Sequence, residues 1–353
     1  MAKKKYKLKR SVKKTAFVIA ILIVILLLFN KNSVSDIVTQ VEENIILKKA
    51  TILNVDKLYI PLESELTLDV NKIELSNNDI LSLNDKNIKA NKVGSSNIKV
   101  IKDNTYQDIE IIVTDIVSNY QINNKEKLSC NQYSNDDVNK LEEILANQIE
   151  YAGTKTRAGV VAAARFLSLE FKYKINYFYE NGRMVNDGSY DYCDGEGRYL
   201  HKGLYLTESD YKDIKQSRSG PQIWGCPMYE ETRKMNVANG LDCSGFVTWA
   251  MLNAGYDVGD YGASDLFKLG EKKMFTDESV WNDIKVGDLV GRNGHVGILV
   301  GIKDDKYYIA EALDYDLHIL EYTKNDLINS ELKFFILMDN YYIENGNLTS
   351  FWN

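Results

Sequence analysis

Two motifs in fixed order constrain this chain more than any other feature. The first is Asp-Cys-Ser-Gly-Phe-Val at 242–247, and the second, about fifty residues later, is Gly-His-Val-Gly at 294–297. The first predicts a helix from Cys243 to Ala254, with an aspartate at the N-cap and a glycine directly after the end. The second places His295 on an apolar strand. A cysteine that begins a helix and a histidine on a strand are the components of a thiolate–imidazolium pair, so the pattern predicts nucleophilic cysteine chemistry.

The position of Cys243 suits it to act as the nucleophile. Only a few per cent of an ordinary thiol is ionised at pH 7. A helix N-terminus and a nearby imidazolium both favour the thiolate form. The unpaired N–H groups of the same helical turn would stabilise an oxyanion. An isolated buried cysteine is usually structural, but the flanking motif and the histidine downstream favour catalysis here.

We predict that His295 is the general base and that Glu311 orients it. Glu311 is an acidic residue inside an apolar strand predicted over Tyr307–Leu313, and a buried carboxylate is costly unless a cation pairs with it. The alternative is a glutamate on an edge strand that faces water. Asp314 and Asp316 are alternative orienting groups. The other two histidines, His201 and His318, lie in polar and irregular sequence.

These motifs, with Gly-Asp-Leu-Val at 287–290 between them, resemble the NlpC-type cell-wall cysteine peptidases over roughly Thr156 to Tyr342. Members of this family are papain-like hydrolases that cut the peptide stems of peptidoglycan. The resemblance implies an α+β papain-like catalytic domain, in which the helix with the nucleophile packs on an antiparallel sheet. It also implies that Asp242 and Ser244 bind the free amine of the stem peptide. A carboxylate at the N-cap is suited to accept an ammonium group.

The chain departs from the family pattern in two respects. The third catalytic position is usually histidine, or sometimes asparagine or glutamine, and Glu311 stands there. An insert at about 181–240, rich in tyrosine, precedes the cysteine motif. The insert is either a lid that narrows specificity or a surface elaboration.

The N-terminus predicts membrane attachment. Residues 1–14 contain eight lysines and arginines, and an uncharged apolar segment follows over 15–30. Basic residues before such a segment keep the N-terminus inside the cell. We therefore predict a cytoplasmic basic tail at 1–14, a transmembrane signal anchor at 15–30 and an extracellular catalytic domain. The alternative is a cleaved signal peptide and a secreted protein.

The charge and the cysteine content limit the partners. Beyond residue 14, 35 basic residues face 50 acidic ones, which is a formal charge of −15. This argues against nucleic-acid binding. No metal-binding or phosphate-binding motif occurs, so we expect neither a metal nor another cofactor. Cys130, Cys193 and Cys226 form an odd set whose pairing stays open; Cys193–Cys226 would pin the insert.

Residues 50–115 have a different character from the rest, with short β-branched, alternating segments between polar turns. This pattern predicts a small all-β module. It resembles a bacterial immunoglobulin-like repeat, for which a small SH3-like barrel is the alternative. We expect a linker over 116–133 and the papain-like domain over 134–353. Its first helix begins after Ser134, where the sequence resembles a capping box.

Together these features predict a membrane-anchored cysteine peptidase that acts on peptidoglycan stem peptides in wall remodelling or lysis. The resemblance implies a D,L-endopeptidase that cuts the bond from γ-D-glutamate to the diamino acid. A wall amidase and an acyl transferase are alternatives on the same fold. A catalytically idle module that only binds stem peptides is the alternative outside the enzymes.

Overall fold

The computed structural model describes residues 47–348, except 77–78, 121, 123–124, 130–131, 180–201, 205–226, 231–234 and 239. The predicted tail and anchor at 1–30, most of the insert and the three other cysteines lie outside the described residues. Among the helices that are described, none is long and apolar enough to span a bilayer.

The first described region is a pair of β-sheets with its own apolar core. One sheet has the order β1-β8-β7-β4, with β2 added to β8 by parallel pairing, and the other has the order β3-β6-β5. Side chains from both sheets form a single buried cluster, which includes Ile88, Val100 and Ile111. The strands are β1 (Lys48–Lys49), β2 (Lys57–Pro61), β3 (Glu65–Thr67), β4 (Lys72–Leu75), β5 (Leu81–Asn84), β6 (Asn87–Ala90), β7 (Gly94–Lys102) and β8 (Thr105–Thr114).

Buried and more exposed residues alternate along β8, and this alternation shows which face of the strand lies in the core. Gln107, Ile109, Ile111 and Val113 are buried, whereas Asp108 between them is exposed. Side chains of a strand alternate between its two faces, so this pattern places every second residue in the core. The relationship to bacterial immunoglobulin-like repeats stays a prediction.

Two helices follow; they pack against each other, and the first also packs against β2. The first, α1 (Asn135–Ala152), begins at Ser134, whose hydroxyl accepts the N–H of Asp137 while the Asp137 carboxylate accepts the N–H of Ser134. The predicted capping box is thus confirmed. The second, α2 (Arg157–Arg165), continues into a π-helical turn (Phe166–Glu170), in which Phe171 N–H donates to Phe166 O across five residues.

Polar contacts join the β-sheet region to α1. Asn147 accepts the N–H of Tyr59 at 3.1 Å and donates to the carbonyl of Lys57 at 2.9 Å. Lys57 also forms an ion pair with Glu143 on the same helix. Strand β2 therefore bonds to β8 on one side and to α1 through its backbone.

The second region is built on an eight-stranded sheet with the order β14-β11-β19-β18-β17-β16-β20-β15. All neighbours are antiparallel except β11 and β14. The strands of this region are β9 (Glu126–Lys127), β10 (Tyr173–Lys174), β11 (Asn176–Tyr177), β12 (Pro227–Glu230), β13 (Met235–Ala238), β14 (Gly240–Leu241), β15 (Glu271–Met274), β16 (Leu289–Arg292), β17 (His295–Lys303), β18 (Lys306–Leu313), β19 (Asp316–Thr323) and β20 (Phe334–Leu337). The remaining helices are α3 (Cys243–Asn253), α4 (Ala263–Leu266), α5 (Val280–Asp283) and α6 (Lys324–Asn329).

Helix α3 packs on the centre of this sheet, against β17 and β18. Phe246, Val247 and Ala250 are fully buried and share a core cluster with Val296 and Ala310. The predicted arrangement, a helix that begins at the cysteine and packs on an antiparallel sheet, is confirmed. It fixes the start of α3 at the end of β17 where His295 lies.

A buried ion pair ties α2 to the sheet. Arg157, 2 % exposed, donates from Nη1 to Asp288 Oδ1 at 2.6 Å and from Nη2 to Asp339 Oδ1 at 2.6 Å. Asp288 also accepts the backbone N–H groups of Lys285 at 2.7 Å and Met338 at 2.9 Å. Asp288, the aspartate of the Gly-Asp-Leu-Val motif, therefore joins α2, the turn before β16 and the segment after β20.

Candidate active site

Cys243 is the first residue of α3, and its position follows from local sequence signals. Asp242 Oδ1 accepts the N–H of Gly245 at 2.7 Å, which satisfies one of the free donors at the start of the helix. The Cys243 side chain is 7 % exposed, and its Sγ lies 3.9 Å from the carbonyl oxygen of Gly294. The thiol is therefore beside the turn that leads into β17.

His295 is the first residue of β17 and directly follows that turn. Gly294 has φ +76°, a conformation that strains any residue with a Cβ, and an added Cβ there would face open space. His295 is 3 % exposed, and its ring atom Nε2 lies 2.6 Å from Glu311 Oε2. The ring is thus held between the start of α3 and the middle of the sheet.

The electrostatics of this arrangement favour the imidazolium. Burial alone lowers the pKa of His295, but hydrogen bonds with Cys243 and with Glu311, and the charge of Glu311, raise it to about 9. The ring is therefore mainly protonated at neutral pH.

Glu311 is the third member of the group and is 1 % exposed. It lies on β18, on the same face as Ile309, as the period of two in the sequence predicts. The neighbouring strand approaches closely, because a Cβ at Gly297 would lie 3.1 Å from Glu311 Cβ and 2.9 Å from Ala310 O. Strand β18 therefore fills the space beside Gly297.

The contact with Glu311 determines which nitrogen of His295 keeps its proton when the ring is neutral. An ionised carboxylate only accepts hydrogen bonds, so Nε2 carries the proton that lies between the two side chains. This leaves Nδ1 to exchange a proton with Cys243. The group consequently has the order nucleophile, base and orienting carboxylate that general-base activation requires.

Asp242 and Ser244, predicted to bind the substrate amine, flank the nucleophile and are each 9 % exposed. Ser244 Oγ donates to Asp242 Oδ1 at 3.1 Å. The same carboxylate oxygen serves as the helix cap, so the two residues form one rigid unit beside Cys243. Their role in binding an amine stays a prediction.

The alternative orienting residues do not contact His295. Asp314 occupies the β18–β19 turn with φ +57°, and Asp316 Oδ1 lies 3.0 Å from His318 Nδ1. His318 lies on β19, directly opposite Glu311. The interpretation of its surroundings as irregular is therefore wrong, because His318 lies within a regular strand. His201 lies outside the described residues.

Within the described ranges, no three histidine, cysteine, aspartate or glutamate side chains are grouped so that they could hold a metal ion. The chemistry that the group around Cys243 supports is nucleophilic attack by sulfur, with proton transfer through His295.

Comparison with known proteins assigns part of the chain to a family. Residues 221–329 match the model of the NlpC/P60 family. No curated protein matches the chain. A solved structure, described as the Resuscitation Promoting Factor Interacting protein RipA mutated at C383, aligns with 20 % identity and a TM-score of 0.23 over 37 % of this chain and 57 % of that chain. The chain thus carries an NlpC/P60 domain at residues 221–329, and Cys243, His295 and Glu311 all lie within it.

Proposed function

We propose that this protein is a cysteine peptidase that hydrolyses the stem peptides of peptidoglycan. The observation that carries the proposal is the arrangement of Cys243, His295 and Glu311. The cysteine begins a buried helix, the histidine pKa is raised to about 9 by the two other side chains, and the carboxylate lies 2.6 Å from the ring. The match of residues 221–329 to the NlpC/P60 family supports the substrate class.

The proposed reaction begins with a thiolate and an imidazolium. The sulfur of Cys243 attacks the amide carbonyl, and the carbonyl oxygen becomes an oxyanion. The N–H of Cys243 has no partner inside the helix, because the first N–H groups of a helix have none, so it is suited to stabilise this oxyanion.

Collapse of the tetrahedral intermediate breaks the carbon–nitrogen bond. The His295 imidazolium gives its proton to the leaving amine, and a thioester joins the acyl group to Cys243. Neutral His295 then takes a proton from water, the hydroxide attacks the thioester, and the acid product leaves as the thiolate re-forms. Glu311 keeps the ring in one tautomer through both steps.

The resemblance to NlpC-type enzymes supports a D,L-endopeptidase that cuts after γ-D-glutamate. In this proposal Asp242 and Ser244 hold the free amine of the stem peptide. An ionised carboxylate next to the nucleophile is suited to bind an ammonium group. The acidic character of the chain beyond residue 14 is consistent with a cationic recognition group on the substrate.

The proposed location is the outer face of the cell membrane. The basic residues at 1–14 and the apolar segment at 15–30 support an anchor with its N-terminus inside, or a secreted form if the segment is cleaved. The β-sheet region at 50–115 would then act as a spacer between the membrane and the peptidase domain.

The test is to incubate the full-length protein, purified in detergent, with peptidoglycan and, separately, with isolated stem peptides whose L-alanine amine is free, and to identify the products by mass spectrometry. The matched control is Cys243→Ala, whose folding is checked by its thermal unfolding midpoint. We expect the native protein to release fragments that begin with the diamino acid and to leave γ-D-glutamate ends on the glycan, and we expect neither product from the variant.

Each alternative gives a different product. Release of whole stem peptides with a free L-alanine amine indicates an amidase. Products that carry the mass of an added amine or alcohol indicate a transferase. Retention of uncut stem peptides by both proteins indicates a binding module and contradicts the proposed hydrolysis.

A further inference from the structure

The side of Glu311 that faces away from His295 is occupied by a second histidine. Glu311 Oε2 contacts His295, whereas Oε1 lies 3.9 Å from His318 Nε2. The two residues are direct cross-strand partners on β18 and β19. The carboxylate therefore lies between two imidazole rings, one on each oxygen.

His318 is itself oriented by a charged group. Its Nδ1 lies 3.0 Å from Asp316 Oδ1, and Asp316 Oδ2 lies 3.0 Å from Lys174 Nζ on β10. Because an ionised aspartate only accepts hydrogen bonds, the Nδ1 atom of His318 carries the proton in that contact. The Nε2 atom then faces Glu311.

The distance of 3.9 Å defines the kind of interaction. It is too long for a hydrogen bond but within the range of an ion pair. A carboxylate that is 1 % exposed has lost its water, so the electrostatic field of a neighbouring imidazole ring acts on it with little screening. The His318 side chain is 24 % exposed, so its other side contacts solvent.

We infer that His318 is a positioning residue, which holds the Glu311 carboxylate in the orientation in which Oε2 accepts from His295. His318 acts through Glu311 and does not touch the reacting atoms. This inference rests on the proposed cysteine-peptidase function. It extends the group from three residues to a line of four, ending at the Asp316–Lys174 pair on the surface.

The first measurement is the rate at which iodoacetamide alkylates Cys243, followed by mass spectrometry of the peptide that contains it. The full-length protein is compared with His318→Gln, which has no charge, and His318→Lys, which keeps one. We expect His318→Gln to lower the rate near neutral pH by about tenfold, at the lower end of the loss seen when the outer partners of metal-ligating side chains are removed. His318→Lys should recover most of that loss.

The second measurement is the pH profile of stem-peptide release. In His318→Gln, Glu311 is no longer held against His295. The alkaline limb of the kcat/KM profile should therefore move to lower pH, because Glu311 raises the pKa of His295. A merely structural role would lower the melting temperature without moving this limb. Glu321→Gln is the control, since Glu321 lies on the same strand and bonds to Lys306 instead.

A double variant tests whether the effect passes through Glu311. If it does, Glu311→Gln/His318→Gln should be no slower than Glu311→Gln alone, because coupled residues are not additive. Independent, additive losses would overturn the inference, and so would rates for His318→Gln within about twofold of the native protein.

The alkylation measurement distinguishes a failure of the proposed peptidase function from a failure of the positioning role of His318. A native Cys243 that reacts only like a free thiol would overturn the proposed chemistry and the role of His318 together. A reactive Cys243 that His318→Gln slows, in a protein that releases no stem peptides, would support the positioning role and overturn only the proposed substrate.

Discussion

Asp288 and Glu311 are two carboxylates of equal burial in the same sheet, and they are held in different ways. Each is 1 % exposed and lies 2.6 Å from a basic side chain. The partner of Asp288 is Arg157, whose charge is permanent. The partner of Glu311 is His295, whose proton can leave.

The remaining contacts of Asp288 make the difference clearer. Its two oxygens also accept the N–H groups of Lys285 and Met338, so three donors fix the carboxylate. Such an arrangement locks a tertiary contact and leaves no group free to exchange a proton. Burial and pairing therefore do not distinguish a structural carboxylate from a catalytic one, whereas the chemistry of its partner does.

The largest expected effect comes from a substitution of His295 that removes its proton exchange but keeps its hydrogen bond to Glu311. In His295→Gln the amide still donates to Glu311, so the fold should persist. The variant cannot act as acid or base, and we expect kcat/KM for stem-peptide hydrolysis to fall by about 10³–10⁴-fold. A variant that unfolds, or one that keeps a tenth of the activity, would contradict this contrast.

The matching substitution, at the Arg157–Asp288 pair, should lower the stability of the fold. Arg157→Met leaves Asp288 buried without its cation, which costs about 3–5 kcal/mol. Urea unfolding followed by circular dichroism measures this loss. Near-native stability of Arg157→Met would mean that backbone donors alone suffice to hold Asp288.

Glu311→Gln should change the pH dependence as well as the rate. We expect a loss of about 10–100-fold in kcat/KM. Because Glu311 helps to raise the pKa of His295 to about 9, the alkaline limb of the rate should begin near pH 9 in the native protein and at lower pH in the variant. An unchanged limb would assign the raised pKa to Cys243 alone.

Glu311→Gln should also lower the stability of the fold, by an amount that depends on pH. A pKa that is raised in the folded state stabilises the protein fully below the unfolded value, near 6.5, and this contribution is lost as the pH rises through about 9. Glu311→Gln should therefore destabilise the protein more at pH 6 than at pH 10. Unfolding at the two pH values measures this difference.

The smallest effect is expected at Lys285, which pairs with Asp339 at the exposed end of the cluster formed by Asp288, Arg157 and Asp339. Lys285 Nζ lies 2.6 Å from Asp339 Oδ2, but both side chains are about half exposed. With Arg157, Lys285 keeps the pKa of Asp339 below its usual value against the effect of burial. Lys285→Met should cost less than about 1 kcal/mol in urea unfolding, because water screens such pairs.

Local signals in the sequence were sufficient to predict the start of α3. The cap residue Asp242, the apolar positions at helical spacing and Gly255, which has φ +96°, all lie within one short stretch. The observed helix, Cys243–Asn253, differs from the prediction by one residue at its end. The strand that carries Glu311 was predicted for the same reason, since alternation and turns are local.

What the sequence did not predict depends on register and on distant pairing. His318 reaches Glu311 because the turn around Asp314 and Tyr315 sets the alignment of β18 and β19. Arg157 meets Asp288 across 131 positions of sequence. Neither contact leaves a periodic pattern, so both could be found only in the folded chain.

The parallel pair of β11 and β14 has a consequence for how this domain can vary. Asn176 aligns with Gly240, and a Cβ at Gly240 would lie 1.8 Å from Asn176 O, so the two backbones meet directly. The chain between them leaves and returns at neighbouring points, just before the helix that carries Cys243. The loop-closure entropy of such a segment grows only logarithmically, by about 0.6 kcal/mol for each doubling of its length. This junction can therefore accept inserted sequence of very different lengths at little thermodynamic cost, next to the catalytic helix.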